Sequence, residues 1–280
     1  MKILKSLLLS FGYYLEKSTK RSEILDFIKM LKPYSTEHEL IRLGGNNDGG
    51  YLVCKNSVKT STALISFGLN DDCSFEQDFK KENDTRVICF DCNTGGGFWF
   101  KKFRRALRKF VKGEIILLKD FLINIYNYYS FFSKNSSSIY KFRIVGKKDD
   151  DLSSNEINIS TILKNNNLKK DFFLKIDIEG SEYEILEDII FYAKFLRGLV
   201  IEFHDVDLNL EKISNFINSI DLKLIHIHPN NSSNCRNNVP LCLELSFGRD
   251  PVIISNLVNF PHNLDQKNDK RNSDLKLIFY

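Results

Sequence analysis

From residue 63 onward, short apolar runs alternate with stretches of helical spacing. Ala63–Phe67, Arg86–Phe90, Phe172–Asp177, Gly198–Phe203 and Lys223–His228 each place at least three apolar residues in five or six positions. Such runs are short for a helix and long enough for a strand buried on both faces. Ile115–Leu118, Tyr140–Val145 and Leu241–Phe247 add further strand candidates, and a short strand at Tyr51–Val53 follows the turn-rich Arg42–Gly50. Phe75–Lys81, Ser160–Asn165, Glu182–Tyr192 and Leu210–Ile220 carry apolar residues at helical spacing. The alternation predicts an α/β fold with a mostly parallel central sheet flanked by helices. Residues 1–40 read as an N-terminal helical extension, with Ile24–Leu31 apolar at helical spacing and Pro33 as its stop. The main domain is expected over 41–260, with 98–138 set apart as a cap or insertion, and 261–280 as a C-terminal tail.

The 280 residues suffice for one large domain with an appendage. The net charge of +4 is small, so composition alone does not indicate nucleic acid. The basic aromatic run Lys101–Phe110 is therefore expected to be a solvated helix face, with a nucleic-acid acceptor the disfavoured alternative. Cys89 and Cys92 are spaced as in redox or zinc pairs, but no second pair completes a metal set. They read as small reduced residues at a strand end. The apolar core of residues 1–14 is too short to span a bilayer, and no small-residue cleavage site follows it. A cytoplasmic protein is expected. Residues 1–14 should dock on the domain or, with the basic helix, make a weak contact at the inner face of the membrane.

In parallel α/β sheets, ligands bind at the carboxyl ends of strands. The first strand ends in a turn at Gly68. The second ends at Asp91, the position from which a carboxylate takes the two hydroxyls of a nucleoside ribose. The stretch Asp177-Ile178-Glu179-Gly180-Ser181-Glu182 places three acids past a buried strand, more than helix capping requires. The next strands end in Glu202-Phe203-His204-Asp205 and His226-Ile227-His228-Pro229-Asn230. Side chains alternate along a strand, so Glu202 shares a side with His204, and His226 with His228. If these strands are neighbours, carboxylates and imidazoles converge on one cleft, suited to taking a proton from a hydroxyl or holding a divalent metal.

Leu174-Lys175-Ile176-Asp177-Ile178-Glu179-Gly180-Ser181-Glu182 resembles the K-[IV]-D-[IV]-E-G-x-E signature of the FkbM family of methyltransferases. Leu199–His204, Asp48–Tyr51, Ser66–Glu76 and His228–Asn231 support the resemblance, which covers roughly residues 40–248. It implies a Rossmann-like class I methyltransferase fold, S-adenosylmethionine as methyl donor, and a hydroxyl acceptor on a sugar, cell-surface glycan or precursor. By position, Gly68, Asn70, Asp71, Asp91 and Asp177 would line the cofactor. Asp48, Tyr51, Glu179 and Asn230 would meet the acceptor. His204, Glu202, His228 and Asp177 are the candidates for proton transfer, and Asp177 with Glu179 could alternatively hold a divalent metal. The family's D-x-G-A-N-x-G turn is here Ser66-Phe67-Gly68-Leu69-Asn70-Asp71-Asp72, which lacks the second glycine. A binding or scaffold protein that kept the fold and lost the chemistry is the rival reading.

Overall fold

The computed structural model describes residues 21–37, 39–113, 115–133, 136–146, 152–233, 235–236, 239–249, 253–255, 260–275 and 277. The expectation for residues 1–14 lies outside these residues. A hairpin of β1 (Leu40–Leu43) and β2 (Tyr51–Cys54) precedes the sheet strands β3 (Ala63–Phe67), β4 (Arg86–Phe90), β5 (Ser137–Tyr140), β6 (Phe172–Ile176), β7 (Leu196–Phe203), β8 (Lys223–Pro229) and β9 (Leu243–Gly248). The seven-stranded sheet runs β8-β9-β7-β6-β3-β4-β5. Its pairs from β7 through β5 are parallel, and β9 lies antiparallel between β7 and β8. Strand order reverses between β3 and β6, which puts a ligand crevice at their carboxyl ends.

Period-two alternation decides which face each strand residue covers. Ile65 and Phe67 of β3 and Leu174 and Ile176 of β6 join one core. That core also takes Ile24 and Phe27 of α1 (Arg21–Met30). Leu64 and Phe173 join the other core, with Val58 of α2 (Lys55–Lys59) and Phe75 and Phe79 of α3 (Ser74–Glu82). The same core takes Trp99 of α4 (Gly96–Val111) and Tyr128 and Phe131 of α5 (Ile115–Phe132). The first face is further covered by α6 (Ile159–Asn165), α7 (Leu186–Tyr192) and α8 (Leu210–Ser219).

Four expectations are corrected. Ile115–Leu118 is the first turn of α5, because buried or half-buried residues continue through Phe121, Ile125, Tyr128 and Phe132 at helical spacing. Segment 98–138 is no insertion: α4 and α5 are the crossover from β4 to β5, and they bury Trp99, Tyr128 and Phe131 against the sheet. The sheet strand near 140 is Ser137–Tyr140, earlier than the apolar run Tyr140–Val145 suggested. Residues 260–275 are no loose tail, since Asp265, Asn268 and Asp269 bond to residues of or beside β8 and β9.

Candidate active site

The crevice is built around Gly68. Its φ is +76°, and a Cβ there would fall 1.6 Å from the Asp177 carbonyl oxygen, so only glycine lets the β3 and β6 ends approach this closely. Lys175 donates to the Gly68 carbonyl at 2.9 Å and lies 3.5 Å from buried Glu76, which accepts from Ser66 at 2.6 Å. On the far side of the turn, Asp91 accepts four backbone hydrogen bonds, from Leu69 and Asn70 on one oxygen and from Asn93 and Thr94 on the other. These occupy the lone-pair positions of a carboxylate, so Asp91 clamps two loops together. Asn70, in the left-handed region at φ 56°, and Asp71, ion-paired to Lys102 at 2.5 Å, lie at the mouth.

Beyond the turn, the hydroxyl of Tyr51 lies 3.0 Å from Asp177 Oδ2 and 2.9 Å from Glu202 Oε2. Tyr51 enters from the β1–β2 hairpin, whose loop Arg42 braces through the carbonyls of Gly45 and Asn47. Glu202 Oε1 accepts from Asn230 Nδ2 at 2.8 Å and from the Cys242 thiol at 2.8 Å. Burial, then the Asp177 and Glu244 charges, push the Glu202 carboxyl up to about 8. Burial also raises Asp177, against the opposing pull of Lys175, His204 and the Tyr51 bond.

His204 lies just past β7, its Nδ1 3.3 Å from Glu182 and its Nε2 3.6 Å from Glu179. Burial works against its charge, but the Glu182 bond and the Glu202, Glu182 and Asp177 carboxylates outweigh it and lift the imidazole to about 9. His204 is therefore cationic at neutral pH. Of the three acids after β6, Asp177 is half-buried and Glu179 exposed. Glu182 is fully buried, taking the backbone N–H groups of Gly180 and His204. Helix and loop capping thus accounts for one of the three.

The neighbour relation assumed for β7 and β8 does not hold. β9 lies between them and places Glu244 directly opposite both Glu202 and His228. This residue was missed, although a glutamate inside the apolar run Leu241–Phe247 is the signal of a buried polar position. Burial raises Glu244 to about 7, against the pull of His228. His228 is corrected as a base: it is 6% exposed, with Nδ1 3.3 Å from Asp265 and Nε2 3.1 Å from Asn268. His226 turns to the same Asp265, at 3.1 Å. Tyr51 and Asn230 are corrected as acceptor-binding residues. Both are buried, and the Asn230 amide is used up by Glu202, Asp48 and Ser232. Asp48 itself is exposed.

Among the described residues, three sets of atoms are close enough to share a cation at the mouth or beneath it: Asp177, Glu179 and His204; Glu202, His204 and Cys242; and Asp48, Glu202 and Glu244. Cys89 is wholly buried in β4 while Cys92 is exposed, so Cys89 packs as a small apolar residue.

A seven-stranded sheet in this order, with its one antiparallel strand second from the edge, is that of the Rossmann-like class I methyltransferase fold. The methyltransferase FkbM domain model matches residues 120–224, a span that includes β6, β7 and the acids after β6. The activity of that class is methyl transfer from S-adenosylmethionine. No curated protein matches the sequence. Among solved structures, the human methyltransferase 10 domain containing protein is similar over 88% of this chain and 93% of its own, at 10% identity and TM-score 0.37. TrmK of M. capricolum in complex with S-adenosylhomocysteine is similar over 73% and 71%, at 13% identity and TM-score 0.34. An rRNA methylase from Streptococcus thermophilus is similar over 70% and 92%, at 9% identity and TM-score 0.36. Among the described residues, no helix is long and apolar enough to cross a membrane.

Proposed function

We propose that the chain methylates a hydroxyl of a sugar, cell-surface glycan or glycan precursor. One observation carries this reading: half-buried Asp177 shares the Tyr51 hydroxyl with Glu202, beside the tight turn at Gly68. A nucleoside cofactor would sit at that turn, over the loop that Asp91 clamps through the Leu69 and Asn70 N–H groups. Gly68 and Asn70 would line the cofactor, and Asp91, its oxygens taken by backbone N–H groups, would position their loop instead of taking the ribose hydroxyls itself, with Asp71 at the mouth and Asp177 at the methionine end. S-adenosylmethionine supplies the methyl group on a sulfonium, already a strong electrophile.

The protein's own residues then supply alignment and a proton acceptor. A phenol has one proton, so Tyr51 cannot donate to both carboxyls at once. With Glu202 protonated near neutrality, Tyr51 accepts from Glu202 and donates to Asp177. Asp177 is then the carboxyl nearest the turn, and in its ionised form it takes the acceptor's proton. Cationic His204 offsets part of the upward shift that burial gives Asp177 and Glu179 and acts as a positioning residue. Exposed Asp48 and Glu179 would receive the acceptor's remaining hydroxyls.

Isothermal titration with S-adenosylmethionine and S-adenosylhomocysteine tests the cofactor. Micromolar binding by the native chain, lost in a folded Asp91→Ala variant, is expected. Transfer of labelled methyl to a panel of nucleotide sugars and glycans tests the acceptor. Asp177→Asn should abolish transfer while cofactor binding persists. Labelling of amines or nucleic acids but no hydroxyl would overturn the reading.

A further inference from the structure

Among the described residues, ten of the fifteen exposed large apolar side chains lie on the α4–α5 hairpin. The hairpin is held from within by Trp99 on Tyr128 at 5.1 Å and Phe103 on Phe121 at 5.8 Å. Its outer side is left with Phe100, Leu107, Val111, Leu122, Ile123 and Tyr126 in solvent, with Val111 78% and Tyr126 71% exposed. Soluble surfaces seldom gather apolar groups this way without a partner. Between Phe98 and Gly113 the chain also has seven Lys and Arg residues and no Asp or Glu. Lys101, Arg104, Arg105, Arg108 and Lys112 are exposed among these apolar groups.

We propose that the α4–α5 hairpin is a membrane-docking surface that seats the chain on a bilayer carrying anionic lipid headgroups. Charge complementarity selects the partner, because a patch of cations with no acid on α4 is drawn to an anionic leaflet. The apolar groups between the cations then enter the headgroup boundary, while Lys and Arg keep their charged ends at phosphate level. RNA would use the same cations and stack bases on Phe100 and Tyr126, but it would leave aliphatic Leu107, Val111, Leu122 and Ile123 uncovered, whereas a headgroup boundary takes rings and aliphatic groups alike. A second copy meeting this face by twofold symmetry would set like charges against each other.

Two concavities fit the same occupant. An apolar depression of about 430 Å³ is lined by Leu118, Leu122, Ile123 and Tyr126, which suits part of an acyl chain. A basic groove of about 1000 Å³ runs along α4 and ends at Asn70. Headgroup phosphates along that groove would lead to the β3 turn, so docking sets the mouth of the crevice against the membrane surface.

The test is co-sedimentation of the full chain with vesicles of phosphatidylcholine alone or with phosphatidylglycerol, and it requires no methyl transfer. Binding to the anionic vesicles is expected to exceed binding to neutral ones. Arg104→Glu/Arg105→Glu/Arg108→Glu should weaken it roughly 100-fold, at about a factor of ten or less per cation removed. Leu122→Ser/Ile123→Ser should lower binding yet leave the preference for anionic lipid. These positions are exposed, and an unchanged circular dichroism spectrum and melting temperature will show that the variants fold. Three outcomes would overturn the proposal: no binding to anionic vesicles, wild-type binding by the triple Glu variant, or retention of single-stranded RNA without vesicle binding. A monomer–dimer equilibrium that the triple variant abolishes, again without vesicle binding, would do the same.

Discussion

Lys175 and Asp177 stand two residues apart at the end of one strand, and the buried charge around them is arranged oppositely. Around Lys175 it balances. One ammonium meets one carboxylate, Glu76, and Ser66 and the Gly68 carbonyl take the remaining bonds. Burial lowers the Lys175 ammonium's affinity for its proton, but Glu76 and its acidic neighbours outweigh this and keep it charged. Around Asp177, carboxylates exceed cations: Glu202 faces Glu244 across the strand pair, His204 is the imidazole beside Asp177 and Glu202, and His228 is the one beside Glu244. The first arrangement holds the turn. The second keeps protons and charge in an unresolved balance, which a structural role would not need and a proton-transferring site does. The difference supports placing the proposed proton transfer at Asp177 and a structural role at Lys175, two residues away.

Breaking the balanced pair should produce the largest effect. Lys175→Met leaves Glu76 buried and uncompensated, at a cost of about 3–5 kcal/mol. The double variant Lys175→Met/Glu76→Gln should recover much of that. Urea unfolding of the two variants measures it, and equal losses would show that the pair is not the source. Tyr51→Phe acts on the unbalanced cluster. It should cost roughly 1.5–3 kcal/mol, as for a hydrogen bond to a charged group, and should reduce methyl transfer more than cofactor binding. Unfolding together with titration calorimetry separates the two terms.

The pH dependence sharpens the contrast. His204 rises from 6.5 to about 9 on folding, so its proton binds the folded state more tightly. Its stabilisation is complete below about 6.5 and is lost as pH rises through 9. Glu202, raised from 4.5 to about 8, has the same sign, since ionising it costs the folded state. Asp265 is opposite: burial raises it, but the bonds and charges of His226 and His228 pull it well below the usual carboxylate range, so its contribution fails as pH falls below about 4. Urea midpoints should decline from pH 6.5 to 9, and His204→Gln should flatten that limb. An unchanged slope in the variant would assign the titration elsewhere. The smallest effect is expected at Arg143, whose partners Glu184 and Glu156 lie 2.7 and 3.3 Å away at a largely exposed site. Arg143→Ala should cost less than about 1 kcal/mol in the same assay.

Most of the element types were readable because they depend on local spacing. The strands around Ile65, Ile88, Leu174 and Ile201, and the helices after them, appear wherever apolar residues recur at two or at three to four positions. Asp177, Glu202 and His204 were readable as members of one cluster because each ends a buried run. Ile115–Leu118 misled because four apolar residues carry no period of their own, and the helix is specified only by the residues from Lys119 to Phe132.

What the sequence by itself determined is the set of strands and helices, the carboxyl edge that carries the polar groups, and the FkbM signature from Lys175 to Glu182. Only the tertiary structure decided which of those groups meet. Strand order is a long-range choice, and inserting β9 between β7 and β8 brought Glu244 into the cluster while handing His228 to Asp265 and Asn268. Tyr51 arrives from 126 residues before Asp177, and Asn268 from 220 residues after Asp48. No local pattern encodes those separations, because they are set by the packing of whole elements and by the need to satisfy every polar group that packing buries.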